Sequence, residues 1–137
     1  STGKKINVHK QAQFVKIDIR SPKIKNILTK FSPEIVYHLA AQVSVPESIS
    51  NPVKDAQINI LGSLNLMAAC LDLAVKKFIF MSSGGAMYGE AEELPTTEIA
   101  EASPLSPYGQ SKLAVENYLH CFYKTRGLNF ICLIMSV

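Results

Sequence analysis

The 137-residue sequence predicts an α/β fold, a doubly wound parallel sheet with helices on its faces, and three observations carry that prediction. Short apolar runs alternate with segments of helical period, which is the pattern of strands joined by crossover helices. The strand-like runs are nearly continuous in apolar character, as sheet strands covered on both sides should be. The strand ending at Met81 runs straight into small hydroxyl and glycine residues, Ser82-Ser83-Gly84-Gly85. In open α/β sheets ligands gather just beyond such strand ends.

Taken in order, Phe14 to Asp18 reads as the first strand. Pro22 fits a helix start, and residues 23–31 set Ile24, Ile27, Leu28 and Phe31 on one stripe. Glu34 to Leu39 is the second strand. Ser44, Pro46, Ser48, Ser50 and Pro52 then predict a loop. Asp55 to about Ala74 follows as a long helix, with Ile58, Leu61, Leu64, Met67, Ala68 and Leu71 at helical spacing. Phe78 to Met81 is the third strand, leading into an acidic loop around Glu90, Glu92, Glu93, Glu98 and Glu101. Residues 107–126 form a helix anchored by Leu113, Val115, Leu119 and Phe122, with Gly127 as its terminator. Asn129 to Leu133 closes the chain as a last strand.

Composition narrows the function classes. With 47% hydrophobic and 18% charged residues, the chain supports one core and not two, so it is one domain or part of one. The formal charge of +3 comes from scattered lysines without an arginine-rich or aromatic-interleaved patch, which argues against nucleic acid. No apolar run reaches the roughly eighteen residues of a membrane span, and the basic start lacks a signal-peptide core. A cytoplasmic protein is expected. Cys70, Cys121 and Cys132 sit in apolar periodic segments and are expected as buried free thiols. His9, His38 and His120 are too dispersed for a metal site.

The chemistry concentrates in Pro107-Tyr108-Gly109-Gln110-Ser111-Lys112. On a helix Tyr108 and Lys112 lie one turn apart on one face. A phenol with an ordinary pKa of about 10 is a poor base at neutral pH, and an adjacent ammonium favours the phenolate. Such a pair can act as a general acid and base. Ser82 and Ser83, at the end of the third strand, are the hydroxyls within reach of the same region.

Together with His38-Leu39-Ala40-Ala41-Gln42, Asn59-Ile60-Leu61-Gly62-Ser63, and Ser82 through Gly89, this segment resembles the extended short-chain dehydrogenase/reductases, and among them the nucleotide-sugar epimerases of the UDP-glucose 4-epimerase type. The resemblance implies a Rossmann-like NAD-binding domain, of which residues 1–137 would be the middle and later part. It implies NAD as cofactor and a UDP-sugar as substrate, oxidised transiently at C4. Tyr108 would be the base, Lys112 would lower its pKa and bind the nicotinamide ribose, and Ser83 would hydrogen-bond the reacting oxygen. Ser82 is the rival serine and a cofactor-side residue. Asp18 and Ile19 match adenine-contacting positions. Ala40, Ala41 and Gln42 match a cofactor-lining turn, and Asn59 a site-facing asparagine. A homodimer through helices 55–74 and 107–126 is likewise implied.

Two departures from the family pattern qualify this. The seven glycines, at 3, 62, 84, 85, 89, 109 and 127, do not form the turn that cradles a pyrophosphate, and Ile134 stands where an arginine is usual. The chain is therefore expected to be a piece of an epimerase-like enzyme, inactive alone. The family's dehydratases carry an acidic pair after the serine or threonine, whereas this chain has Gly84, Gly85 and Ala86, so dehydration is disfavoured; epimerisation is preferred over reduction on the resemblance alone. The competing reading is a non-catalytic interaction module that has kept the catalytic residues of its ancestor.

Overall fold

The computed structural model describes residues 3–89, 97 and 100–135. Glu90, Glu92, Glu93 and Glu98 of the expected acidic loop lie outside them. Three parallel strands form the sheet in the order β1 (Ile35–His38), β2 (Lys77–Ser83) and β3 (Phe130–Met135). The register sets Val36 beside Phe78 and Phe80 beside Cys132. These residues point to the same face, because side chains alternate along a strand.

That face is covered by helices. Helix α1 (Ile24–Phe31) packs on the far end of the long helical stretch, and α6 (Pro107–Arg126) crosses the sheet. Phe78, Phe80, Met67, Cys70, Val115 and Leu119 make the buried core between them. Two short helices, α2 (Val45–Ser50) and α5 (Gly84–Met87), follow the ends of β1 and β2.

Between them the chain runs continuously helical from Pro52 to Asp72 as α3 (Pro52–Ala56), a π-helical turn (Gln57–Leu61) and α4 (Gly62–Asp72). The helix thus begins three residues earlier and ends two earlier than the sequence predicts. A π-turn inside an α-helix is uncommon and is often found at functional sites. Helix α6 has the limits expected of it: Pro107 occupies the first turn, the Ser106 hydroxyl accepts from Gly109 N at 3.1 Å, and Gly127 ends the helix at φ 71°.

Three expectations are corrected. Residues 14–18 do not form a strand: they join no ladder, and Phe14 and Val15 are exposed. An alternating pattern makes a strand only where a neighbour offers its backbone, and this segment is held by side chains instead. Asn65 donates its amide to Ile19 O at 2.6 Å and Ser21 O at 3.0 Å, and Ile19 lies against the bare Cα of Gly62. Residues 45–50 form a helix where a loop was expected, nucleated by Pro46 and by the Ser44 hydroxyl accepting from Glu47 N. Cys121 is exposed on α6, while Cys70 is buried; all three cysteines are free.

Candidate active site

The sequence at the end of β2 places two serines on opposite sides. Successive strand residues face opposite ways, so Ser82 turns into the packed side, where its hydroxyl donates to Met87 Sδ at 3.1 Å. Ser83 turns the other way and lines a cavity of about 490 Å³ together with Tyr108, Gly85, Ala86 and Val43. Immediately after Ser83 the chain enters α5. Helix α6 is pressed against it at Gly109, where a Cβ would stand 2.2 Å from Ala86 O. Only glycine allows this approach, and the approach sets Tyr108 beside Ser83.

Tyr108 and Lys112 are both buried, on one face of α6. The Lys112 ammonium donates to Met81 O at 2.8 Å and lies 4.7 Å from the centroid of the Phe80 ring and 5.7 Å from that of Tyr108. Burial pulls the Lys112 pKa down to about 8 against the opposing pull of the Asp55 and Glu116 carboxylates. The ring faces of Phe80 and Tyr108 partly replace the lost water, since an aromatic face attracts a cation. Burial also raises the Tyr108 phenol; the Ser83 hydroxyl beside it favours the phenolate, and Asp55 opposes it. The net shift of the phenol is upward, with burial the largest cause.

Asn59, inside the π-turn, clasps Gln42. Its Oδ1 accepts from Gln42 N and its Nδ2 donates to Gln42 O, both at 2.9 Å. This fixes the turn after β1 and leaves Ala40 exposed and Ala41 half-buried at the strand end. Asp18 and Ile19 lie away from this cluster. Asp18 is exposed and paired with Arg20 at 2.7 Å, and the hydrogen bonds from Arg20 hold its carboxyl at about 2.

Two residues of this neighbourhood, Asp55 and His38, receive no role in the site from the sequence. Asp55 is fully buried on α3, where it accepts from Gln42 Nε2, Asn59 Nδ2 and Ser111 Oγ. His38 is buried at the end of β1, and its Nε2 meets the Ser63 hydroxyl at 2.7 Å. That hydroxyl donates onward to Asn59 O, so Nε2 carries the hydrogen and Nδ1 is a bare acceptor, without a partner among the described residues. Burial, reinforced by Lys112, lowers His38 to about 4. Burial pushes the Cys70 and Cys132 thiols up to about 12, which leaves them poor nucleophiles at neutral pH. Among the described residues no group of histidines, cysteines and carboxylates could hold a metal ion.

Comparison with known proteins agrees with this fold. Residues 2–136 match the family model described as GDP-mannose 4,6 dehydratase. The crystal structure of the Thermus thermophilus UDP-glucose 4-epimerase in complex with NAD superimposes with a TM-score of 0.94 at 40% identity, over 98% of this chain and 44% of that one. The Thermotoga maritima UDP-glucose 4-epimerase, solved with UDP-glucose, gives 0.94 at 42% identity over the same shares. The UDP-glucose 4-epimerase of Mycolicibacterium smegmatis is 38% identical over 127 residues, 89% of this chain and 41% of its own length. The chain spans less than half the length of each of these relatives.

Proposed function

The chain belongs to the GDP-mannose 4,6 dehydratase family, among the extended short-chain dehydrogenase/reductases, and from that premise we propose that it carries the proton-transfer half of an NAD-dependent nucleotide-sugar 4-epimerase. The observation that carries the reading is the convergence of Tyr108 and Ser83 on one cavity at the end of β2, with the Lys112 ammonium behind them.

The residues present suit the nicotinamide side of NAD. Lys112 spends one of its three N–H donors on Met81 O and keeps donors for a ribose hydroxyl, and Ala40 leaves the strand end open. NAD, when bound, would take hydride from the sugar C4 and return it to the opposite face. Tyr108 would accept the C4 hydroxyl proton and give it back, and Ser83 would donate a hydrogen bond to the reacting oxygen. Gln42 and Asn59 would line the cofactor side, Ser82 would support the floor through Met87, and Asp18 with Ile19 would meet the adenine end. Lys112, once swung from Met81 toward the ribose, would lower the phenol. The substrate in this reading is a UDP-sugar, as bound in the Thermotoga maritima relative.

The family description names a dehydratase, but Gly84, Gly85 and Ala86 supply no acid with which to expel water. Epimerisation is therefore the reading preferred here. A homodimer through helices 55–74 and 107–126, where Leu61, Tyr118 and Tyr123 are exposed, and a cytoplasmic setting consistent with three free thiols complete the proposal.

The test is calorimetric titration of NAD into this 137-residue chain and into a form extended at both ends, followed by UDP-galactose turnover. The extended form should bind NAD and interconvert UDP-galactose and UDP-glucose, whereas the 137 residues, without a glycine-rich phosphate turn, should bind weakly and turn nothing over. A keto-deoxy sugar product would replace epimerase by dehydratase. Failure of both forms to bind NAD would favour a non-catalytic interaction module.

A further inference from the structure

The most demanding group in the molecule is a carboxylate to which the reading above assigns no role. Asp55 is 1% exposed, yet among the described residues no cation hydrogen-bonds to it. It is satisfied by donors from three parts of the chain: Gln42 Nε2 at 3.0 Å after β1, Asn59 Nδ2 at 2.9 Å in the π-turn, and Ser111 Oγ at 2.6 Å on α6. Both Oδ atoms are used as acceptors, which is the pattern of an ionised group. Ser111 immediately precedes Lys112, so the carboxylate grips α6 between the two residues of the proposed pair.

We propose that Asp55 is the positioning residue of this site: ionised, it fixes α6 through Ser111 and supplies the buried negative charge that keeps Lys112 an ammonium. A buried carboxylate is costly unless paired and hydrogen-bonded, and a surface-like role would not require one here. Four groups face Lys112: Asp55 from α3, Glu116 and Tyr108 from α6, and His38 from β1, which is neutral above about pH 4. Asp55 is the stronger of the two carboxylates acting on Lys112, and it also disfavours the Tyr108 phenolate. The same charge thus holds Lys112 protonated and Tyr108 protonated. The inference rests on the pair being the working pair of the proposed function, but it concerns proton affinities that exist without cofactor or sugar.

The experiment is an NMR titration of the lysine Cε and tyrosine Cζ resonances in the 137-residue chain, in Asp55→Asn and in Ser111→Ala. In Asp55→Asn both midpoints should fall together, by about one pH unit each, since an attractive charge is lost for one group and a repulsive charge for the other. In Ser111→Ala the charge remains but the tether is lost: both midpoints should move by less than in Asp55→Asn, while the Tyr108 Cζ shift itself should change as α6 is released; an unchanged Tyr108 shift overturns the positioning role. A Lys112 midpoint that rises in Asp55→Asn would mean that the site has merely loosened and taken in water, which overturns the proposal. A fall in Ser111→Ala as large as in Asp55→Asn overturns the assignment to charge. Should Asp55→Asn not fold, Glu116→Gln decides: the Lys112 midpoint should fall there by less than about one pH unit, and a fall of a full unit or more would mean that Glu116 supplies the charge, which overturns the proposal. None of these readouts uses NAD or a sugar, so a failed epimerase assay and a failed positioning role are told apart.

Discussion

The two faces of the sheet are equally apolar and are treated very differently. On the covered face Phe78 and Phe80 are buried to within 1% under α4 and α6. On the other face Ile35, Tyr37, Ile131 and Leu133 are exposed, Tyr37 at 63%. Lys112 stands on the covered side, over Phe80, and α6 brings Tyr108 to the end of β2, where Ser83 meets it from the other face. Stability and the Tyr108–Lys112 pair therefore share one layer, and the open face contributes strand identity without contributing core. The contrast fits a chain that spans under half the length of its relatives.

The sharpest way to break this comparison is to delete the same kind of side chain on each face. Phe80→Ala should cost about 3–5 kcal/mol in urea denaturation, because it opens a cavity in a packed core and removes the ring beneath Lys112. Acid should act next. His38 is held neutral, with a folded pKa of about 4 against an ordinary 6.5. The stability this contributes is present above about pH 6.5 and is lost as pH falls through 4. The loss is on the order of 3 kcal/mol, and His38→Gln should flatten that limb of the pH–stability curve. Gly109→Ala follows, at about 1–3 kcal/mol with displacement of α6 from α5, visible as a changed NMR environment at Tyr108. Smallest is the open face: Leu133→Thr or Tyr37→Ser should change stability by less than about 1 kcal/mol. A loss there as large as for Phe80→Ala, and dependent on protein concentration, would mean that a second copy covers the face.

Local patterns were legible in the sequence, and long-range ones were not. Tyr108 and Lys112 announce themselves through an i, i+4 spacing, and Pro107 and Gly127 bracket their helix where the structure does. The alternation of Ser82 and Ser83 follows from strand periodicity once β2 is seen to extend through Ser83. The segment 14–18 carried a genuine apolar alternation, but a ladder is a property of two segments, and sequence shows only one at a time. Helix α2 was hidden by its serines and prolines, although Ser44 with Glu47 three residues on is the spacing of a capping box. Asp55 offered nothing, because its meaning lies in Ser111, 56 positions away.

The Ser63 hydroxyl has a consequence for how protons can and cannot move here. The Asn59 carbonyl takes the Ser63 hydrogen, and that leaves the Ser63 oxygen free to take the hydrogen of His38. The three groups make a one-way street ending on a backbone carbonyl, which cannot pass a proton on. His38 is therefore wired out of any relay to Tyr108, although it lies close enough to Lys112 to feel its charge. A proton arriving from solution has one landing place on the ring, Nδ1, where no acceptor waits among the described residues. A single serine back-bond thus leaves this histidine a fixed tautomer, a sealed terminus beside Lys112.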